Sequence, residues 1–497
     1  MIAPVKANIE CAWLAAVSVV LMAVRAYAAT RIGFGDSEAL YASYALHAQP
    51  AYLDHPGLVG IFARALGAGA PPTPASAHLA TAALATAAPW VMALACRAAG
   101  ASWRRSFGTA LVVALVPEMA IGLFAMTPDL LLSLAWTGSL GFAAFAMCAA
   151  PGSARATLGF GAAGLLAGIA AASKVSGLLL LPALAVAYAL RPARCHARTA
   201  APWAGLAAGL VVVLPIAAFE SRTGWPMIRH RLVDTQLAAG LSLRNAGALI
   251  GGQLAYLSPL VIALFAYAGR ALWRERNEPV GGLLLASCAL PAAVLVPLCL
   301  WSRVAEPHWL APAWLALAPA AARARQPVPR RLVVAAVALG ACMIALVHAW
   351  VLIPAVSNLA PASCDPRLDI THELYGWDVV AAEVRAEVRE AEIPGSPRGD
   401  VVVVGPHWIV CAQVEAAIRG DVPVGCDTPV DDDFDTWWPR KRWRAADTIV
   451  WVTDTRFDPP PTLGSYAELR RRQIRIRRGG RVIRVFTVAT LSRRAAA

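Results

Sequence analysis

The 497-residue sequence predicts a polytopic α-helical membrane protein of about eleven spans, with a large first extracytoplasmic loop and a small C-terminal α/β domain. Three observations predict it. Hydrophobic residues make up 58% of the chain and charged residues only 15%, a balance that a soluble chain of this length does not carry. Apolar runs of about 20 residues, the length needed to cross the hydrocarbon core, recur along the first 350 positions. From about Pro361 the charged residues become dense and the runs stop.

Taken in order, the spans are predicted at about 11–30, 76–96, 106–126, 129–149, 157–172, 175–190, 201–219, 246–269, 281–300, 309–322 and 331–353. The first run contains Arg25 and is too long for a secretory signal core, so it reads as a retained span. The two runs flanking Lys174 are short, as is 309–322, which marks them as candidates for broken or re-entrant segments. An odd count places the two ends on opposite sides. With the N-terminus cytoplasmic, the inner loops hold Lys6, Arg97, Arg104, Arg105, Arg155, Arg191, Arg194, Arg198 and further Arg residues up to Arg331. The outer loops hold fewer basic residues, among them Arg31, Arg64, Arg222, Arg229, Arg231 and Arg244. Because positive charge is retained inside, this orientation in a bacterial inner membrane is the expected one. The net charge of +13 therefore reads as topology and not as nucleic-acid binding.

In the tail, Val401 to Val404 and Thr448 to Val452 read as short buried strands, Asp378 to Glu392 as a helix, and Gln473 to Thr487 as a basic hairpin turning at Gly479-Gly480. The expected division is a membrane domain over 1–360, with its loop 31–75, and an outer domain over 361–497. Seven of the ten Cys lie in or beside apolar runs and read as small buried hydrophobes. Cys364, Cys411 and Cys426 fall in the tail, where an oxidising compartment permits one disulfide.

The first outer loop is unusually polar for a membrane protein. It carries Asp36, Glu38, Tyr41, Tyr44, His47, Tyr52, Asp54, His55 and Arg64. Asp36 and Glu38 fall within one helical turn, where a carboxylate near apolar surface is suited to take a proton from an attacking hydroxyl or amine. The competing reading makes Asp36 a helix cap and Glu38 a solvated first-turn residue. Asp54 and His55, before the rigid Pro56, are suited to bind a sugar or to orient a base. Further polar residues interrupt later runs: Asp129 in Thr127-Pro128-Asp129, Lys174 after Ser173, and Arg303, Glu306 and His308 before Trp309. An ionisable residue between membrane segments is costly and so marks a functional candidate. Lys174 offers a point charge for a lipid phosphate, against the alternative that it snorkels to the headgroups. No Walker-type loop, zinc-spaced Cys/His set or Gly-x-Ser-x-Gly elbow appears, which disfavours ATP-driven transport and serine hydrolysis.

These residues resemble the lipid-phosphate-dependent membrane glycosyltransferases of the GT-C kind, the superfamily of protein O-mannosyltransferases and aminoarabinose transferases. Glu38-Ala39-Leu40-Tyr41 is similar to the acidic motif after the first span. Tyr52-Leu53-Asp54-His55-Pro56-Gly57-Leu58 is similar to the Tyr-Phe-Asp-His-Pro-Pro-Leu motif. Thr127-Pro128-Asp129, Ser173-Lys174-Val175-Ser176-Gly177 and Glu306-Pro307-His308-Trp309-Leu310-Ala311-Pro312 follow in the same order, with fainter echoes at Tyr375-Gly376-Trp377 and Asp433 to Pro439. Ser37 splits the usual Asp-Glu pair, so either Asp36 or Glu38 inherits the base role.

The resemblance implies inverting transfer of a sugar from a polyprenyl-phosphate carrier to an envelope lipid, polysaccharide or protein on the outer side. It implies Asp36 or Glu38 as base, Tyr41, Asp54, His55 and Asp129 around sugar or acceptor, and Lys174 on the phosphate, with Arg303, Glu306 and His308 assisting. It requires no nucleotide and no resident metal, and leaves room for a divalent cation between carboxylate and phosphate. The rival readings are a flippase of lipid-linked saccharides and a scaffold that binds a partner through its Arg-rich hairpin.

Overall fold

The structure, a computed structural model, describes residues 9–236, 239–302, 304, 306–326, 328–361, 364–391, 401–457, 463 and 465–494. Among them, seven helices are long and apolar enough to cross a membrane: Ile9–Ala29, Pro74–Ala98, Pro128–Met147, Ala154–Ser173, Ala201–Thr223, Pro279–Trp301 and Arg330–Leu352. Three further pairs are bent, Trp103–Ala114 with Pro117–Phe124 by 79°, Val175–Ala189 with Arg191–Ala197 by 74°, and Leu243–Leu257 with Pro259–Arg274 by 94°, which raises the number to ten if each is one span. The chain is thus a multi-pass membrane protein with seven to ten apolar helices and a small sheet domain. The segment expected at 309–322, marked above as a candidate broken segment, is a 3-10 turn, Pro307–Leu310, followed by two short helices, Ala311–Leu315 and Leu317–Arg323.

Two of the bends have a local cause in proline. Pro117 and Pro259 each lack the N–H that would continue the preceding helix, and each starts the next one. Ser258, before Pro259, lies at φ 76°, and its hydroxyl accepts the Val261 N–H at 3.4 Å.

By contacts the chain forms two compact units. The first holds residues 1–25, 50–58 and 81–345, and the second holds 26–49, 59–80 and 346–497. The first outer loop is thereby divided, with 50–58 in the first unit and 31–49 and 59–75 in the second.

The first unit is built on a large apolar cluster including Trp136, Leu140, Phe160, Leu184 and Tyr188. Two of its helices approach backbone to backbone: a Cβ on Gly164 would lie 1.8 Å from the Gly205 carbonyl oxygen, and one on Gly168 would lie 2.5 Å from that of Gly209. Glycines four apart on both helices allow this contact, since lipid-borne helices associate by close packing more than by hydrophobic exclusion. Arg25, inside the first helix, is buried and donates to Ala120 O at 2.8 Å, Met119 O at 3.2 Å and Thr86 Oγ1 at 2.9 Å. Its guanidinium satisfies carbonyls at the C-terminal end of the short helix Pro117–Ala120.

The second unit contains a five-stranded mixed sheet with β1 Val401–Gly405, β2 Val424–Cys426, β3 Thr448–Asp454, β4 Tyr466–Arg478 and β5 Arg481–Arg493, in the order β2-β1-β3-β5-β4. β1 is parallel to β2 and β3, and the β4–β5 hairpin adds antiparallel at β3. Gly479 and Gly480 at the hairpin tip have φ of 55° and 84°, the geometry that a two-residue turn demands and that glycine adopts without strain. The expected strands and hairpin are all present, and the hairpin is longer than expected. Its Arg residues are partly used internally: Arg472 bonds Glu383 at 2.7 Å and Arg470 bonds Glu387 at 3.2 Å, both on the helix Trp377–Ala391.

Candidate functional site

In the first unit, the motif around Asp54 forms a tight turn. Ala51 and Pro56 pair as an isolated bridge, and the Tyr52 N–H donates to His55 O at 2.9 Å. Asp54 sits at the tip, half-buried, where Arg231 donates to its carboxylate at 3.0 Å and to its carbonyl oxygen at 3.1 Å. His230 is 3.7 Å from the same carboxylate. His55 is buried, and its imidazole is held well below the usual histidine range by that burial, with the charges of Arg231, Lys174 and His308 adding to the effect. It is therefore neutral.

Lys174 terminates the helix Ala154–Ser173 in an extended conformation, which turns its side chain inward. It is buried, and its Nζ lies 2.8 Å from both carboxylate oxygens of Asp129, in the first turn of the helix Pro128–Met147. The snorkelling alternative is thus not what the structure shows. Asp129 is also 3.8 Å from His308 Nε2, while Glu306 lies 3.1 Å from His308 Nδ1. That hydrogen bond holds the Glu306 carboxyl below its usual range despite some burial. Tyr256 lies edge-on to His308 at 6.4 Å between ring centroids, and Arg231 stands over the Trp309 ring at 5.6 Å. Arg303 lies outside the described residues.

Four motifs widely separated in sequence, at Tyr52 to Leu58, Thr127 to Asp129, Ser173 to Gly177 and Glu306 to Pro312, thus come together within one unit. Sequence reading missed three side chains here. Arg231 and His230, on the helix Pro226–Leu232, looked like ordinary loop charges, and Glu118 lay within an apolar run. Glu118 lines an apolar cavity of about 250 Å³ together with Val116, Leu257, Leu264, Phe265 and Trp314.

In the second unit, Asp36 and Glu38 open the helix Asp36–Ser43, as their spacing predicts. Their partners differ. Glu38 reaches back to the Gly35 N–H at 2.9 Å, the return half of a capping box, and its other oxygen is 2.9 Å from His78 Nε2. Asp36 does not cap the helix. It receives Arg456 Nη1 at 2.6 Å and Gln413 Nε2 at 3.0 Å, and Gln413 also donates to Phe34 O at 2.9 Å. Arg456 is shared with Asp454, the last residue of β3. Ser37 is exposed, so splitting the acidic pair sends the two carboxylates to separate partners.

Tyr41 is buried against Tyr44, whose hydroxyl meets Asp433 at 3.1 Å. His47 stacks on Trp437 at 3.9 Å, so the echo motif at Asp433 to Pro439 packs against residues of the first loop. Cys411 and Cys426 are buried free thiols, and Cys364 is exposed. Among the described residues, no group of three or more His, Cys, Asp and Glu side chains is arranged to hold a metal ion.

With this geometry in hand, solved structures supply a comparison. ArnT from Cupriavidus metallidurans, crystallised bound to undecaprenyl phosphate, superposes with a TM-score of 0.63 over 96% of this chain and 98% of its own, at 15% identity. The fold is that of the GT-C glycosyltransferases. The apo form of the same protein gives a TM-score of 0.62. The Archaeoglobus fulgidus oligosaccharyltransferase in its apo form gives 0.52 over 89% of this chain and 69% of its own, at 14% identity. No protein-family profile matches the chain, and no curated protein matches it in sequence. The GT-C likeness is therefore one of architecture, and the chemistry rests on the residues.

Proposed function

We propose that the chain is an inverting glycosyltransferase that moves a sugar from a polyprenyl-phosphate carrier to an acceptor outside the bacterial cytoplasmic membrane. One observation carries the reading: the Asp54, Asp129, Lys174 and His308 motifs meet in one unit of a GT-C fold, in the kind of apolar setting where ionisable residues are costly to keep. The fold itself adds weight, since the ArnT structure that it resembles was solved with undecaprenyl phosphate bound.

In this reading a donor phosphate is held by Lys174 and Arg231, the phosphate displacing a carboxylate from each cation. Asp54, the neutral His55 and His308 position the sugar, and Tyr41 and Glu306 assist. The apolar cavity below Glu118 takes part of the polyprenyl tail. The acceptor hydroxyl or amine gives its proton to Asp36 as its heteroatom attacks the anomeric carbon. The bond from that carbon to the phosphate oxygen breaks, and its electron pair leaves with the polyprenyl phosphate. Glu38, with a helix N-terminus and His78 as partners, is the cap and not the base.

For topology we propose a cytoplasmic N-terminus and an outward-facing α/β domain, with residues 1–360 as the transferase domain and 361–497 as the appended domain. Eleven crossings result if each bent pair crosses once and Pro307–Arg323 crosses as well. Labelling single cysteines near residue 36 from either side of sealed vesicles tests this, and labelling only from the cytoplasmic side contradicts it. The reaction is tested by supplying purified protein with labelled polyprenyl-phosphate sugars and envelope acceptors. Absence of transfer with every donor, alongside movement of lipid-linked sugar between leaflets, would favour a flippase.

A further inference from the structure

Asp36 has a third neighbour that its own loop does not reveal. The segment Ile370–Leu374 runs beside the start of the Asp36–Ser43 helix, and the Gly33 N–H donates to Leu374 O at 2.8 Å. Glu373 Oε1 lies 2.8 Å from where a Cβ on Gly35 would stand, so its carboxyl sits close against the backbone there. From there the Glu373 carboxyl faces the first turn of the Asp36–Ser43 helix, beside the Asp36 carboxylate. Two carboxyl groups placed side by side disfavour the state in which both are ionised. We propose that Asp36 and Glu373 hold a single proton between them, with Glu373 the positioning residue that, while protonated, fixes the Asp36 carboxylate against Arg456 and Gln413.

The surrounding charges favour this arrangement. Arg456 faces the pair from the end of β3 and is shared with Asp454, while Arg484 on β5 stands 3.6 Å from Asp454. His407, before the helix Trp408–Ile418, is biased toward its neutral form by its burial and by Arg456. Glu38, on the same helix as Asp36, is occupied by Gly35 and His78. Asp36, Glu373 and Asp454 thus contribute three acids against two guanidinium groups, and holding one proton balances the set. Burial and the adjacent Asp36 carboxylate push the Glu373 carboxyl up to about 8. Glu373, Arg456 and Arg484 also border a small polar cavity of about 80 Å³ with Asp369 and His372, which gives the proton a route to solvent.

The bearing on transfer rests on Asp36 acting as base, whereas the shared proton does not. Thermal unfolding of the full chain in detergent, measured from pH 5 to 9, tests the proton directly. Wild type is expected to lose melting temperature as the pH approaches and passes 8. Glu373→Gln, neutral at every pH and still a donor, is expected to show a flatter profile and a higher melting temperature at pH 9. Parallel profiles overturn the proposal.

Transfer from a labelled undecaprenyl-phosphate sugar then tests the positioning role. Glu373→Gln should exceed Glu373→Ala by about tenfold or more, because the amide still orients Asp36, and should lose the pH dependence of wild type. Equal rates for wild type and Glu373→Ala overturn the positioning role. Full transfer by Asp36→Asn removes the base reading alone, and the melting profiles still decide the shared proton.

Discussion

The two units handle ionisable groups in opposite ways. In the first, two acids of the motif cluster are matched by cations, Lys174 with Asp129 and Arg231 with Asp54, and the buried His55 is kept neutral. In the second, acids outnumber the cations around Asp36, and one of them, Glu373, keeps its proton. A matched set resists change and has to be broken open by a ligand of the right charge. A set with a spare proton is poised to exchange one. The first arrangement suits holding an anionic donor, and the second suits accepting a proton from an acceptor.

The largest expected effect is on the matched side. Lys174→Met or Asp129→Leu alone leaves a buried charge without its partner and should cost about 3–5 kcal/mol of stability, seen as a lower unfolding midpoint. The double variant, Lys174→Met with Asp129→Leu, should recover most of that loss while failing to bind anionic lipid. If each single variant is as stable as wild type, the pair is not matched in the way described.

Opposite pH responses come next. His55 is lowered, so the unfolded chain binds a proton that the folded one refuses, and the first unit should weaken as pH falls below about 6.5. Glu373 is raised from 4.5 to about 8, so its stabilising proton is fully in place below pH 4.5 and is lost as pH rises through 8. His55→Gln should remove acid-side loss and Glu373→Gln alkaline-side loss, each leaving the other intact by thermal unfolding. Loss on the same side in both variants would erase the comparison.

A smaller effect is expected for the helix cap. Glu38→Ala removes the return hydrogen bond to Gly35 and should cost about 1 kcal/mol. Smallest is Arg471→Ala, which breaks an exposed pair with Glu468 on the hairpin and should change stability by less than about 0.5 kcal/mol.

Much of this was legible from residue order. Ser173-Lys174 announced a break in the membrane run because an ammonium does not sit within an apolar helix without a partner, and the partner, Asp129, was itself conspicuous beside Pro128. The strands at Val401 and Thr448 and the turn at Gly479-Gly480 followed from local patterns. The bends were harder to read. The runs 106–126 and 246–269 are predominantly apolar, and Pro117 and Pro259 are what hint that each is two helices.

The partners of Asp36 were not legible at all. Gln413, Arg456 and Glu373 come from three segments more than 300 residues downstream, each polar for reasons that look local. Arg231 was visible only as one more outward charge, since nothing in its helix specifies contact with Asp54. Local pattern identifies which residues are unusual, whereas their pairing depends on which segments the fold brings side by side.

The central claim is that Asp36 takes the acceptor's proton while Glu38 holds the helix. It is tested most directly by transfer of labelled sugar from a polyprenyl-phosphate donor, comparing Asp36→Asn with Glu38→Gln at matched folding. Asp36→Asn should lose roughly 10²–10⁴-fold in rate, the usual contribution of a positioned general base, and Glu38→Gln should stay within about tenfold of wild type. Full activity in Asp36→Asn, or the larger loss in Glu38→Gln, would contradict it.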